Sequence, residues 1–202
     1  MADLNVLAPL VRAHYPDVLD PVLANALRLS AAEYFTLSRA YTMRVEGEVT
    51  GDDGGIVPLP DDSCIIVGVI TAQLDGRKLD AILPADRDKP GRRNYVVDGY
   101  YFIRVFAPGS LFVRVAVTLP AVPKPSSAPA SRNSVPDPLL DLYGEGIAYG
   151  AMSRIAASPS GGMDGGASSA FRAAFEKSVD DAIMRTMRGA QSAHLRVKPI
   201  WF

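Results

Sequence analysis

Residues 94–120 read "NYVVDGYYFIRVFAPGSLFVRVAVTLP". Within them Leu111, Val113, Val115, Val117 and Leu119 alternate with Phe112, Arg114, Ala116 and Thr118. A period of two belongs to an antiparallel strand with one buried face. Asp98-Gly99 is a favoured two-residue hairpin turn, and Pro108-Gly109 predicts a second. Toward the N-terminus, "CIIVGVI" (64–70) has the length of a short buried strand, "TGDDGG" (50–55) is a turn cluster and "TMRVEGEV" (42–49) predicts another strand. These runs predict a small antiparallel β domain.

The periodicity changes on either side of it. Residues 4–14 predict a short helix, which "YPDVLDP" then interrupts. Asp20 is placed to cap a longer helix from 21 to about 41, with Pro21 at its first position. Leu23, Leu27, Tyr34, Leu37 and Tyr41 form its apolar stripe, with Ala26 and Ala31 beside them. After the β region, "PAVPKPSSAPASRNSVPDP" concentrates proline, serine and alanine, a composition that makes an extended linker.

Beyond the linker, "DPLLDLYGEGIAYGAMSRIAAS" places Leu140, Tyr143, Ile147, Ala151 and Ile155 at helical spacing. Asp137 near its start and Arg154 near its end follow the helix dipole. Gly144, Gly146 and Gly150 each cost about 1 kcal/mol relative to alanine inside a helix, so a close approach must compensate. Tight core packing and a subunit contact both satisfy that requirement. "SPSGGMDGGASS" connects to a last helix, "AFRAAFEKSVDDAIMRTMRG", with Phe171, Phe175, Val179, Ile183 and Met187 on one side and Gly189 placed to end it.

The expected fold class is therefore α+β: a helical bundle formed by the N- and C-terminal helices, with an inserted small antiparallel β domain and an extended C-terminal tail. The expected segments are 1–41 (N-terminal helices), 42–122 (β insertion), 123–136 (linker), 137–189 (C-terminal helix pair) and 190–202 (tail).

Composition bounds the function. With 202 residues, 48% hydrophobic and 21% charged, the chain can bury a substantial core. A mean hydropathy of +0.10 leans apolar, which favours an oligomer. The formal net charge of −1 provides no global attraction to nucleic acid or membrane. A lone cysteine, Cys64, excludes an internal disulfide and a multi-cysteine zinc site, and "CIIVGVI" reads it as a buried small hydrophobe. The opening residues lack the basic and apolar regions of a signal peptide, and no apolar run reaches the ~18 residues a membrane span needs.

For catalysis only His14 and His194 are available, and no nucleophile elbow, zinc-protease helix, P-loop or dinucleotide fingerprint occurs. The reading assigns no catalytic, cofactor-binding or metal-binding residue and no enzyme activity. "TGDDGG" offers hard oxygen ligands without the ligand order of a calcium loop, and Arg92 and Arg93 could touch nucleic acid. A small DNA- or cation-binding module is the alternative these residues support.

The tail "HLRVKPIWF" combines Arg196 and Lys198 with Leu195, Val197, Ile200, Trp201 and Phe202. Tryptophan and arginine are enriched in binding hot spots, and Pro199 argues against a central strand. Folding back on its own bundle, or adding an edge strand to the sheet, is the competing fate.

Taken together, "DPLLDLYGEGIAYGAMSRIAASP", "AFRAAFEKSVDDAIMRTMRG" and the closing "LRVKPIWF" resemble the head-to-tail adaptors of short-tailed bacteriophages, the tail tubular protein A-like family. The resemblance implies a homo-oligomeric ring of about a dozen subunits, which requires heterologous contacts. It also implies a portal protein on one side, a tail nozzle protein on the other, and DNA passing through without sequence-specific binding. The location implied is the virion neck, after synthesis in the bacterial cytoplasm and without a membrane. It assigns portal docking to Leu195, Arg196, Val197, Lys198, Ile200, Trp201 and Phe202. A neck or head-completion connector of a long-tailed phage shares the helical core and is the neighbouring alternative.

Overall fold

The structure, a computed structural model, describes residues 2–51, 54–61, 63–82, 91–120, 134–159 and 162–192. In chain order these form β1 (Ala2–Asp3), a 3-10 turn (Leu4–Leu7), α1 (Ala8–Arg12) and α2 (Asp20–Ser38). There follow β2 (Thr42–Val49), β3 (Gly55–Pro58), β4 (Ile65–Leu74), β5 (Arg77–Lys78), β6 (Asp80–Ala81) and β7 (Asn94–Asp98). The chain continues with β8 (Phe102–Val105), β9 (Gly109–Thr118), β10 (Ser134–Val135), α3 (Asp137–Ala156) and α4 (Gly165–Ser192). The fold class is α+β, with four helices and largely antiparallel sheets.

Two compact units result, one built from the described residues of Met1–Ser30 and Val135–Phe202, the other from those of Ala31–Ser134. The two units divide between Ser30 and Ala31, inside α2. The physical reason is the packing of the second half of that helix. Thr118 Oγ1 of β9 donates to the Ala32 carbonyl at 2.7 Å. The Phe35 ring meets Tyr41 edge-on at 5.5 Å.

In the β unit, one sheet has the order β2-β9-β4-β5 and the other β3-β8-β7-β6. β9 pairs antiparallel with both β2 and β4, from Thr42↔Ala116 to Val49↔Gly109 and from Ile65↔Thr118 to Leu74↔Leu111. Its alternation holds where expected, with Leu111, Val113 and Val115 buried and Arg114 exposed. From Val115 to Thr118 all four residues are buried, because α2 covers the second face there.

Both turn expectations need correction. Pro108-Gly109 closes no hairpin: it leads from β8 in one sheet to β9 in the other. Asp98-Gly99 does begin the β7–β8 hairpin, but Asp98 pairs with Phe102 across a three-residue loop. The two-residue turn lies at Asp75-Gly76, where Leu74 pairs with Arg77. Both turn residues have positive φ, 50° and 72°, as a right-twisted hairpin of this length requires.

The helical unit is organised around α3. Its predicted stripe of Leu140, Tyr143, Ile147, Ala151 and Ile155 is buried, and so are Gly144, Gly146, Ala148, Gly150, Met152 and Ser153. A helix buried on more than one face belongs at the centre of its unit. The predicted first helix forms as the Leu4–Leu7 turn followed by α1, and Asp3 Oδ1 accepts from the Asn5 N–H at 2.9 Å at its start.

On α2 the predicted stripe is rotated toward its C-terminal end: Phe35 is fully buried while Leu37 is 47% exposed. On α4, Phe175 and Val179 are buried and Met187 is 57% exposed. Gly189 does not end this helix, which runs on to Ser192.

Candidate functional site

The seven residues predicted to dock a portal, Leu195, Arg196, Val197, Lys198, Ile200, Trp201 and Phe202, lie outside the described residues, as do His194, Asp52 and Asp53. The linker expected over 123–136 is described only from Ser134. The other candidates can be located.

The glycines of α3 act as notches. An added Cβ at Gly144 would lie 2.8 Å from Leu7 Cδ2. At Gly150 it would meet Ser30 Oγ at 2.2 Å and the Phe175 ring at 2.6 Å. Ser30 Oγ in turn donates to the Ile147 carbonyl at 2.6 Å, so α2 and α3 share a buried hydrogen bond beside that notch. Tight packing within the chain, one of the two ways to compensate these helical glycines, is thus present at Gly144 and Gly150. Gly144, Gly146 and Gly150 are all buried, with Leu7 against the first and Ser30 and Phe175 against the third.

Next to these notches lies an aromatic cluster that sequence reading did not assemble. Phe171 of α4 meets His14 edge-on at 5.3 Å and Tyr15 at 6.3 Å, and stacks on Tyr149 of α3 at 6.4 Å. The Tyr149 hydroxyl donates to Glu145 Oε1 at 2.7 Å one helical turn earlier. His14 therefore supports the helical unit by ring packing. The helical spacing of Glu145, Tyr149 and Phe171 was readable, but their meeting with residues 14 and 15 required the tertiary fold.

Cys64 sits where the sequence reading put it, fully buried ahead of β4. Its Sγ lies 3.7 Å from the Tyr41 hydroxyl, and neighbouring Ser63 donates to Asp61 Oδ1 at 2.6 Å. Burial pushes the thiol up to about 11, so it is protonated at neutral pH and unsuited to nucleophilic work. Among the described residues no group of three or more His, Cys, Asp or Glu side chains could hold a metal ion. No described helix is long and apolar enough to cross a membrane.

Among its described residues the β unit carries a strongly charged concavity. Arg77 of β5, Arg92 and Arg93 ahead of β7, and Asp75 of the tight turn line a cavity of about 480 Å³ with Leu74 and Leu79. The two arginines singled out in the sequence thus meet a third from a different element.

Compared with protein families, residues 3–198 match the SU10 adaptor protein family over nearly the whole chain. The chain belongs to the SU10 adaptor protein family. No curated protein matches it. As an SU10 adaptor protein, the chain has a structural role as a phage adaptor, and the virion neck is the location that role implies. The match extends through the β unit and beyond α4, so the helical and β units are parts of one family architecture.

Proposed function

We propose that this SU10 adaptor protein forms the head-to-tail adaptor ring of a short-tailed phage, joining the portal to the tail nozzle around a DNA channel. The observation that carries this reading is the family match over residues 3–198, which takes in both units and most of the basic, apolar tail segment. The ring has about a dozen subunits and heterologous contacts between neighbours. Leu195, Arg196, Val197, Lys198, Ile200, Trp201 and Phe202 form the portal anchor.

The anchor works through apolar burial guided by charge. Trp201, Phe202 and Ile200 offer large side chains to pockets on the portal, and Arg196 and Lys198 match acidic groups at the pocket rims. Repetition of the same weak contact around a ring converts modest single-site affinity into a durable joint. The β unit faces the nozzle.

Co-sedimentation with the portal encoded in the same genome tests this reading, using the full chain and a version ending at Ser192, where α4 stops. Binding of the full chain and its loss in the shortened one supports the portal anchor. Equal binding of both moves the docking surface to the helical unit. No binding by either removes the head-to-tail assignment.

A further inference from the structure

The family reading leaves the arginine-lined cavity of the β unit without a role. Arg77, Arg92 and Arg93 are exposed side chains reaching one cavity of about 480 Å³, and among the described residues none of them makes an ion pair. The carboxylate that lines the same space is already engaged: Asp75 Oδ1 accepts the Ser110 N–H at 2.8 Å. Among the described residues lining the cavity, three guanidinium groups thus accompany one carboxylate, an excess of positive charge in a chain whose net charge is −1. Leu74 and Leu79, both buried, supply an apolar floor that strengthens any charge interaction above it.

We propose that this cavity binds phosphate groups and that its ligand is the backbone of a nucleic acid. Guanidinium forks pair with phosphate oxygens in two-bond geometry, and three of them around one cavity exceed what a single carboxylate could neutralise. A polynucleotide presents phosphates in series, so neighbouring arginines can each take one. Contacts of this kind go to the backbone and carry no base sequence, and the binding weakens steeply with salt as counterions are released. A phosphate site in the isolated chain does not depend on ring formation, so the two proposals stand or fall separately.

The test is a fluorescence-anisotropy titration of a labelled, arbitrary-sequence DNA duplex with the full chain over a series of salt concentrations. Three proteins are compared: the wild type, Arg92→Ala/Arg93→Ala, and Lys177→Ala/Arg185→Ala, which removes the same charge from the exposed side of α4. The expected result is a loss of about tenfold or more in affinity and a fall of about two in the logarithmic salt slope for the first pair only. Arg77→Ala reproduces part of that loss. Inorganic phosphate at constant ionic strength displaces the duplex from the wild type. Equal losses in both double variants would reduce the effect to general charge and overturn the proposal. So would undiminished duplex binding by Arg92→Ala/Arg93→Ala, or capture of a polyglutamate probe in preference to the duplex.

Discussion

Asp75 and Ser110 hold one another twice: the Asp75 N–H donates to the Ser110 carbonyl at 2.9 Å, and the Ser110 N–H donates to Asp75 Oδ1 at 2.8 Å. This clamp ties the tip of the β4–β5 hairpin to the start of β9, just after the change of sheet. It also fixes Gly109, whose φ is 148° and whose missing Cβ would lie 2.5 Å from Asp75 Oδ2. Replacing Gly109 with alanine therefore meets both a backbone and a steric penalty. Urea denaturation should show a loss of about 1–3 kcal/mol for Gly109→Ala. Asp75→Ala should lose about 1 kcal/mol through the vacated Ser110 N–H.

At the centre of the helical unit, Gly150→Ala should be strongly destabilising. Its Cβ would have to displace Ser30 Oγ and the edge of the fully buried Phe175 ring. Overpacking of this kind costs about 1–3 kcal/mol. Adding Ser30→Gly removes the closest clash and the hydrogen bond to Ile147 together, so the double variant should recover only part of the loss. Thermal unfolding of both variants, followed by circular dichroism, measures the difference.

How far the fold could be read from sequence depended on whether a signal was local. The α3 stripe and the Leu111–Val115 alternation are local patterns, and both carry the expected burial. The role of Pro108-Gly109 is not local, because the same turn chemistry serves a hairpin or a change of sheet, and only the pairing of β9 with β2 and β4 separates them. Asp75-Gly76 has the chemistry of a tight turn but lies in a charged segment, "DGRKLD", with no apolar alternation to mark a strand after it. On α2 the choice of Phe35 over Leu37 was made by the sheet it packs on, which no period within the helix records. Likewise Arg92 and Arg93 could be suspected from sequence, whereas Arg77 joins them only through the β4–β5 turn.

Alkaline pH should weaken the β unit. Burial, the largest cause, raises the Cys64 thiol from 9.0 to about 11, and burial raises the Tyr41 hydroxyl beside it as well. The native state thus keeps protons that the unfolded chain releases. The contribution of Cys64 is fully present below about pH 9 and is lost as pH rises through about 11. Urea midpoints measured across that window should fall, and Cys64→Ala should flatten the fall. Ellman's reagent at pH 8 should leave the native thiol unmodified and titrate it fully in urea.

The Arg12–Asp20 ion pair should matter little. Its side chains are 44% and 85% exposed, so water and salt screen the attraction. Asp20→Asn should shift stability by less than about 1 kcal/mol, and the shift should shrink further at high salt. Paired denaturation curves at low and high ionic strength check this.

The position of β9 also sets a timetable. Its neighbours β2 and β4 are synthesised long before it, and Thr42 waits for Ala116 while Ile65 waits for Thr118. Until β9 leaves the ribosome both strands present unpaired edges, the kind of surface on which nascent chains aggregate. The notches of α3 impose a similar delay, since Leu7 and Ser30 are made early and the glycines that receive them come only after the whole insertion. Completion of both units after synthesis, at the slow rates of non-local topology, means that chaperone supply during a burst of expression would govern the yield of assembly-competent subunits.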